Sequence, residues 1–270
     1  MASLEAAPVL NVNAKRTSCI RAWRRLDRPR VRIVCFPWCG AGASVYRRMV
    51  DGFPVGAEAL AIQWPAREDR FSETPLRRMD LLVDHVLREL VPMSDVPLVL
   101  FGHSMGAVVA HAVARSMSQR FGREPALLVV SGHGAPHRMQ LDRTLWHNAN
   151  DEDLLRNLGA LGGTPGALLA DPTMMRMLLP AVRADYEVLE TYQCKEQPVL
   201  SCPLVACAGN QDDAVTASGL QAWSALTCGP SRTHWFAGGH FYLRDDAQPL
   251  MHHLAHWINE LAAPGLLATR

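Results

Sequence analysis

The chain has 270 residues, of which 49% are hydrophobic and 20% charged, and its formal net charge is +1. This length suits one large domain with room for an insertion, and the composition is that of a globular protein. The small net charge argues against a nucleic-acid binder, and no apolar run reaches the roughly 18 residues that a membrane helix needs. We therefore expect neither nucleic acid nor a membrane among its partners.

Residues 1–30 lack the apolar centre of a secretory signal. They are therefore interpreted as a disordered or loosely attached extension, as is common at chain termini. Their later part is basic, through Arg21, Arg24, Arg25, Arg28 and Arg30. A transit peptide is the alternative, but Glu5 and the scarcity of serine count against it.

The seven cysteines are odd in number and irregularly spaced, which indicates reduced thiols in a cytoplasmic protein. Cys35 and Cys39 are four residues apart, but no second Cys/His pair has the spacing of a zinc finger. We therefore expect no structural metal site.

Short apolar runs alternate with helical patterns along most of the chain. Strands are predicted at Val31–Phe36, Ala59–Trp64, Pro97–Phe101, Leu127–Ser131, Pro203–Ala208 and Thr233–Ala237. Helices are predicted at Met79–Leu90, Met105–Arg120, Ser218–Leu226 and Gln248–Leu261. This alternation predicts an α/β fold with a mainly parallel sheet covered on both faces, and reactive groups at the carboxyl ends of its strands.

Residues 137–194 break the alternation, because they show helical patterns but no convincing strand. One helix is predicted at Asp151–Leu158, after the capping residue Asn150, and another at Thr173–Leu179, opened by Asp171-Pro172. Pro180 is predicted to kink or restart this second helix, which continues as Ala181–Tyr192. We interpret this segment as a helical lid inserted into a core of residues 31–136 and 195–262, with residues 263–270 as a tail. Packing helices without mobility are the alternative.

The segment Gly102-His103-Ser104-Met105-Gly106 directly follows the strand Pro97–Phe101 and opens a helix. This arrangement is typical of the nucleophile elbow of α/β-hydrolases, in which small flanking residues let the strand and helix backbones pass closely. Ser104 is therefore predicted to be a nucleophile displayed at the carboxyl edge of the sheet.

A serine nucleophile needs a base and an orienting carboxylate, which in this fold follow in the order Ser, Asp/Glu, His. Asp212 and Asp213 lie on a turn just after the strand Pro203–Ala208. Asp212 is the predicted carboxylate and Asp213 its competitor. One of them could instead cap the helix near Ser218, which suits Asp213 better.

His240 is the predicted base, because it follows the last strand and the two glycines 238 and 239. The predicted oxyanion donors are two backbone amides. One belongs to Met105, next after the nucleophile, and the other to Cys39 in the small-residue loop of residues 37–42. The amide of Trp38 is a second choice. A phosphate-binding reading of this loop is weak, since no Lys-Ser/Thr pair follows its glycines.

Six motifs in this order resemble the type II thioesterases of polyketide and nonribosomal peptide synthesis and their cousin, the medium-chain thioesterase of fatty acid synthase. They are Cys35-Phe36-Pro37, the segment from Gln63 to Arg70, the elbow with Phe101, Leu161–Pro165, Arg183–Tyr186 and Gly238–Leu243. The resemblance spans residues 31–250. Two departures are Trp38, where many members have histidine, and Ala66, where many have glycine.

The resemblance implies an α/β-hydrolase fold and hydrolysis of acyl groups from the phosphopantetheine thiol of a carrier protein, which clears stalled or misprimed synthase modules. It implies a triad of Ser104, Asp212 and His240, oxyanion donors at the amides of Cys39 and Met105, and no cofactor or metal. The alternatives are a hydrolase of acyl-CoA or small esters and a non-catalytic binding protein on this scaffold. The complete triad argues against the last.

The partner and the pocket are predicted less specifically. Acidic carrier proteins suggest a basic docking rim, with candidates Arg47, Arg48, Arg67, Arg70, Arg77 and Arg78. The alternative is local salt bridges, and for residues 67–70 a structural ion-pair network.

Three residues, namely Trp38, Met174 and Leu178, are candidates for lining the acyl pocket. Most apolar side chains of the insertion are instead expected to form the apolar core of the insertion. We expect a monomer.

Overall fold

The structure, a computed structural model, describes residues 18–138, 145–194 and 200–261. The predicted tail and the first 17 residues of the predicted extension lie outside these ranges. One sheet holds seven strands, namely β1 (Ile20–Arg24), β2 (Val31–Phe36), β3 (Ala57–Ile62), β4 (Leu98–His103), β5 (Leu127–Ser131), β6 (Leu204–Gly209) and β7 (Ser231–Phe236). Their order is β1-β3-β2-β4-β5-β6-β7, and strands β2 to β7 run parallel.

The α-helices are α1 (Met79–Leu90), α2 (Met105–Phe121), α3 (Asp151–Leu161), α4 (Gly166–Leu169), α5 (Pro172–Thr191), α6 (Ala217–Gln221), α7 (Tyr242–Asp245) and α8 (Gln248–Leu261). Side chains of α1, α2 and α6 form one apolar cluster with one face of the sheet, and α8 packs with the other face. Both faces are covered, so the central strands are buried throughout, which explains their unbroken apolar runs. None of the helices among the described residues is long and apolar enough to span a membrane.

The six predicted strands are all present, with ends that differ by up to two residues. The structure corrects the prediction for residues 1–30, because Ile20–Arg24 form an additional edge strand antiparallel to β3. Its polar residues have structural partners, since Arg24 Nε donates to the carbonyl oxygen of Ala57 at 2.9 Å and Arg21 pairs with Asp69. An edge strand buries only part of its surface, so its arginines do not prevent it from joining the sheet.

The inserted segment is helical where it is described, with an apolar cluster of its own. Its helices begin at the predicted caps, as Asn150 accepts from the amide of Asp153 and Asp171 from those of Thr173 and Met174. Helix α5 continues through Pro180, so a restart at this residue, one of the two predicted alternatives, is wrong. Leu179 and Val182, on either side of the proline, pack into the same cluster. This packing stabilises the helix although Pro180 has no backbone N–H to donate.

Ala66 adopts a left-handed backbone conformation, with φ of 66°, in the turn after β3. This conformation costs a residue with a Cβ about 1–2 kcal/mol, whereas glycine adopts it freely. Replacing Ala66 by glycine is therefore expected to raise the free energy of unfolding by up to about 1 kcal/mol, after the larger entropy loss of glycine is subtracted. Chemical denaturation measures this. The exposed Ala170, with φ of −78°, is the matched control, and Ala170→Gly should lower the same quantity. A decrease for Ala66→Gly would contradict the strain argument.

His111 on α2 is fully buried beside Trp223, with ring centroids 5.5 Å apart. Burial, assisted by Arg115, lowers its pKa to about 3, whereas in the unfolded chain it is about 6.5. Between these values the unfolded state binds the extra proton, so stability falls as the pH falls from 6.5 towards 3. We expect this group to remove about 2 kcal/mol of stability between pH 7 and pH 5.

The variant His111→Leu is expected to lose less stability than the wild type between these two pH values, because it has no proton to bind. Denaturant titrations at pH 7 and pH 5 measure the difference, and the pH 7 values separate any packing effect of the substitution. Equal losses in the two proteins would refute the assignment.

Candidate active site

Ser104 lies at the turn between β4 and α2 in a conformation that is rare for a non-glycine residue, with φ of 54° and ψ of −120°. A Cβ atom on Gly102 would come within 2.0 Å of the carbonyl oxygen of Gly106, and one on Gly106 within 1.9 Å of that of Phe36. The Ser104 amide donates to the carbonyl oxygen of Ser131 at 2.7 Å, at the end of β5. Glycines are therefore required on both sides of a serine that the sheet holds in a strained turn.

His240 and Asp212 form a buried pair at the carboxyl end of the sheet. Nδ1 of His240 lies 2.8 Å from Oδ2 of Asp212, and their side chains are 9% and 1% exposed. The other carboxylate oxygen accepts from the amide of Ala214 at 3.0 Å. Since a carboxylate accepts hydrogen bonds, Nδ1 carries the proton in this pair and Nε2 remains as the basic nitrogen.

Close contacts between the backbones that follow β6 and β7 position Asp212 and His240. Gly238 has φ of 114°, and a Cβ on Gly209 would lie 2.2 Å from the carbonyl oxygen of Gly239. Asp213, the competing carboxylate, is exposed. It does not cap the next helix either, because Thr216 is the N-cap of α6 and accepts from the amide of Gly219 at 3.0 Å. The structure thus brings Asp212, rather than Asp213, to His240.

Ser104 and His240 line one cavity of about 950 Å³ between the sheet and the helical insertion. The insertion supplies one wall, through Trp146, Asn157, Leu158, Leu161, Tyr186, Leu189 and Glu190. Trp38 and Phe241 belong to the wall on the sheet side, with ring centroids 5.2 Å apart. The predicted role of Trp38 as a wall residue thus agrees with its position.

The two predicted oxyanion donors lie at this site. Within the described part of the chain, no acceptor takes a hydrogen bond from the amide of Cys39 or from that of Met105. Cys39 also lines the cavity, and Met105 is the first residue of α2, next to Ser104. Unpartnered amides beside the predicted nucleophile Ser104 are suited to stabilising a negatively charged oxygen.

A buried polar network, which the sequence did not predict, lies beside His240. Nδ1 of His103 is 2.9 Å from Oγ of Ser131, which in turn is 2.8 Å from the hydroxyl of Tyr242. Burial, with a smaller effect from His240, lowers the pKa of His103 well below its usual value. His103 is therefore neutral, and it places no positive charge beside the ring of His240, 5.1 Å away. The sequence feature that could have indicated this network is Tyr242, two residues after His240.

Two predicted pocket residues are corrected by the structure. Met174 is 43% exposed and Leu178 packs against the insertion's own apolar cluster, and neither lines the cavity. The face of α5 that points inward carries Met175, Leu179, Val182 and Tyr186, at helical spacing. The cavity residue among these is Tyr186.

The predicted basic rim is also corrected in part. Arg67 and Arg70 are 4% and 2% exposed, so neither is available for docking, and the predicted structural network around them is present. Arg77 pairs with Glu187 and Arg78 with Asp80 at the surface. The remaining two candidates, Arg47 and Arg48, are exposed.

Comparisons with known proteins identify the family. The model of the thioesterase domain family matches residues 31–258. The chain is 34% identical to a probable cadicidin biosynthesis thioesterase from Streptomyces griseus, over 88% of this chain and 65% of that protein, or just under two thirds of its length. It is 35% identical to the solved type II thioesterase BorB of the borrelidin biosynthetic cluster, with a TM-score of 0.81 over 90% of this chain and 99% of that one.

A second solved relative is YbtT, the type II thioesterase of the yersiniabactin NRPS/PKS biosynthetic pathway. It is 27% identical, with a TM-score of 0.79 over 90% of this chain and 98% of that one. The family match covers most of the chain, and each of the two solved structures covers 90% of it. The chain therefore belongs to the thioesterase domain family, with an α/β-hydrolase fold shared with the type II thioesterases of polyketide and nonribosomal peptide synthesis.

Proposed function

We propose that this thioesterase hydrolyses acyl groups from the phosphopantetheine thiol of carrier proteins and so edits stalled or misprimed polyketide or nonribosomal peptide synthase modules. The observation that carries the proposal is the buried His240–Asp212 pair, which shares one cavity with the strained Ser104. The biosynthetic clusters named for the relatives support the choice of a carrier-bound thioester.

The proposed reaction has two halves. In the first, Oγ of Ser104 attacks the thioester carbonyl carbon while Nε2 of His240 takes the hydroxyl proton. The amides of Cys39 and Met105 stabilise the resulting oxyanion, and Asp212 stabilises the imidazolium. The tetrahedral intermediate collapses, the C–S bond breaks, and the departing sulfur takes the proton from His240, which leaves an acyl-serine.

In the second half, His240 removes a proton from a water molecule that attacks the acyl-serine. The second tetrahedral intermediate breaks the bond to Oγ of Ser104, which regains its proton from His240. The products are the free carboxylic acid and the carrier thiol, and the enzyme is restored.

We also propose that the protein is a monomer, because every group used in the reaction comes from one chain. The seven free thiols of the protein support a location in the cytoplasm, where cysteines stay reduced.

The test is mass spectrometry of a carrier protein loaded with different acyl groups, before and after incubation with the enzyme. We expect loss of the acyl mass, and a higher kcat/KM than for the same acyl groups on coenzyme A or on simple esters. Equal turnover of carrier and coenzyme A substrates would instead indicate a general acyl-CoA or ester hydrolase. Binding without turnover of any of them would indicate a non-catalytic protein.

A further inference from the structure

The loop of residues 37–42, which carries the proposed donor Cys39, is bonded directly to helix α5 of the insertion. The amide of Gly40 donates to Oδ2 of Asp185 at 2.7 Å, although the two residues are 145 positions apart. One turn earlier on α5, the carbonyl oxygen of Val182 lies 3.7 Å from Sγ of Cys39. A Cβ on Gly40 would come within 3.1 Å of Cγ2 of Val182, so the helix packs tightly on the loop.

Arg67 compensates the charge of Asp185. The side chains of both residues are almost fully buried, at 4% and 3% exposed, and they form an ion pair. The guanidinium also donates to the carbonyl oxygens of Pro65, at 2.7 Å, and Ala181, at 3.4 Å. An unpaired carboxylate here would oppose the negative charge that develops on the substrate oxygen. With Arg67 present, Asp185 can hold the Gly40 amide without that opposition.

The bond to Asp185 also fixes the orientation of the loop. Because a peptide unit is planar, holding the Gly40 amide sets the plane of the Cys39–Gly40 peptide. On the other side of this peptide, the amide of Ala41 donates to the carbonyl oxygen of Trp38 at 3.0 Å. These two bonds enclose Cys39, whose own amide has no acceptor within the described part of the chain.

We propose that Asp185 is a positioning residue, which aims the Cys39 amide at the oxyanion by holding the amide of Gly40. The insertion then contributes to the chemical step as well as to the cavity wall. This inference rests on the proposed serine mechanism, since it assigns Asp185 a role through the oxyanion donor of that mechanism.

Two double variants test the inference without leaving a buried charge unpaired. Arg67→Met with Asp185→Asn keeps an oxygen acceptor for the Gly40 amide, and Arg67→Met with Asp185→Ala removes it. We expect the first to keep kcat within about threefold of the wild type. The second should lower kcat at least about tenfold with little change in KM, because a misplaced oxyanion donor is felt mainly in the transition state.

The control is Asp151→Ala, which removes a carboxylate paired with Arg183 at the surface of the same insertion and should leave kcat unchanged. If the alanine double variant does not fold, Arg67→Met with Asp185→Leu replaces it, since leucine fills the space without an acceptor and no buried charge is left unpaired. Equal kcat in the variants with and without the acceptor would overturn the inference. If Ser104→Ala kept full activity, the proposed mechanism itself would fail, so the two failures are distinguishable.

Discussion

Replacing Ser104 by alanine is expected to lower kcat for acyl-carrier hydrolysis by roughly a million-fold, the scale found when the nucleophile of a serine hydrolase triad is removed. The variant lacks the oxygen that forms the acyl-enzyme, so neither half of the reaction can proceed through it. The cavity, His240 and the oxyanion amides remain, so KM should change little. The measurement is release of the acyl group in a single turnover, monitored through the mass of the carrier protein.

Ser218 offers a matched control, because it also lines the cavity and its hydroxyl lies near that of Thr216, at 3.3 Å. The variant Ser218→Ala should keep kcat within about twofold, since its hydroxyl has no role in the acyl-enzyme. With wild-type protein, a slowly hydrolysed substrate should leave an acyl adduct on the peptide that contains Ser104. An adduct elsewhere, or full activity of Ser104→Ala, would refute the nucleophile assignment.

The second large effect is expected at Asp212. Changing Asp212 to asparagine should lower kcat by about 10⁴, because an amide in place of the carboxylate favours the wrong tautomer of His240 and cannot stabilise the imidazolium. The same change at Asp213 should leave kcat within about twofold, since that side chain is exposed and does not contact His240. Steady-state hydrolysis by the two variants, each checked for its free energy of unfolding, separates these outcomes. A large loss at Asp213 together with a small one at Asp212 would reverse the assignment.

The sequence predicts the parts of the fold and site whose signals are local. Buried parallel strands are continuously apolar, and the elbow at Ser104 needs glycines at fixed positions, so both can be read without coordinates. The order of Ser104, Asp212 and His240 identifies the candidate triad in the same way. The choice between Asp212 and Asp213 cannot be made locally, because adjacent residues on a turn point in directions that only its geometry defines.

Features that depend on distant contacts were missed or misplaced. The bond from Gly40 to Asp185 joins residues 145 apart, and nothing in either segment alone indicates it. Met174 and Leu178 share helical spacing with residues that do face inward, so the inner face of α5 is decided by how the helix packs against the rest of the insertion. The basic character of residues 21–30 concealed β1, because its arginines find carbonyl and carboxylate partners only after the sheet has formed.

The edge strand β1 bears on how this domain should be delimited. The family match begins at residue 31, yet Ile20–Arg24 pair with β3 along the register from Ile20–Ile62 to Arg24–Ala59. A protein cut at the family boundary would leave the outer backbone groups of β3 open to water and to other molecules. An open edge of apolar residues is a template for intermolecular pairing. The short basic strand covers this apolar edge, so expression of the domain alone should begin before residue 18.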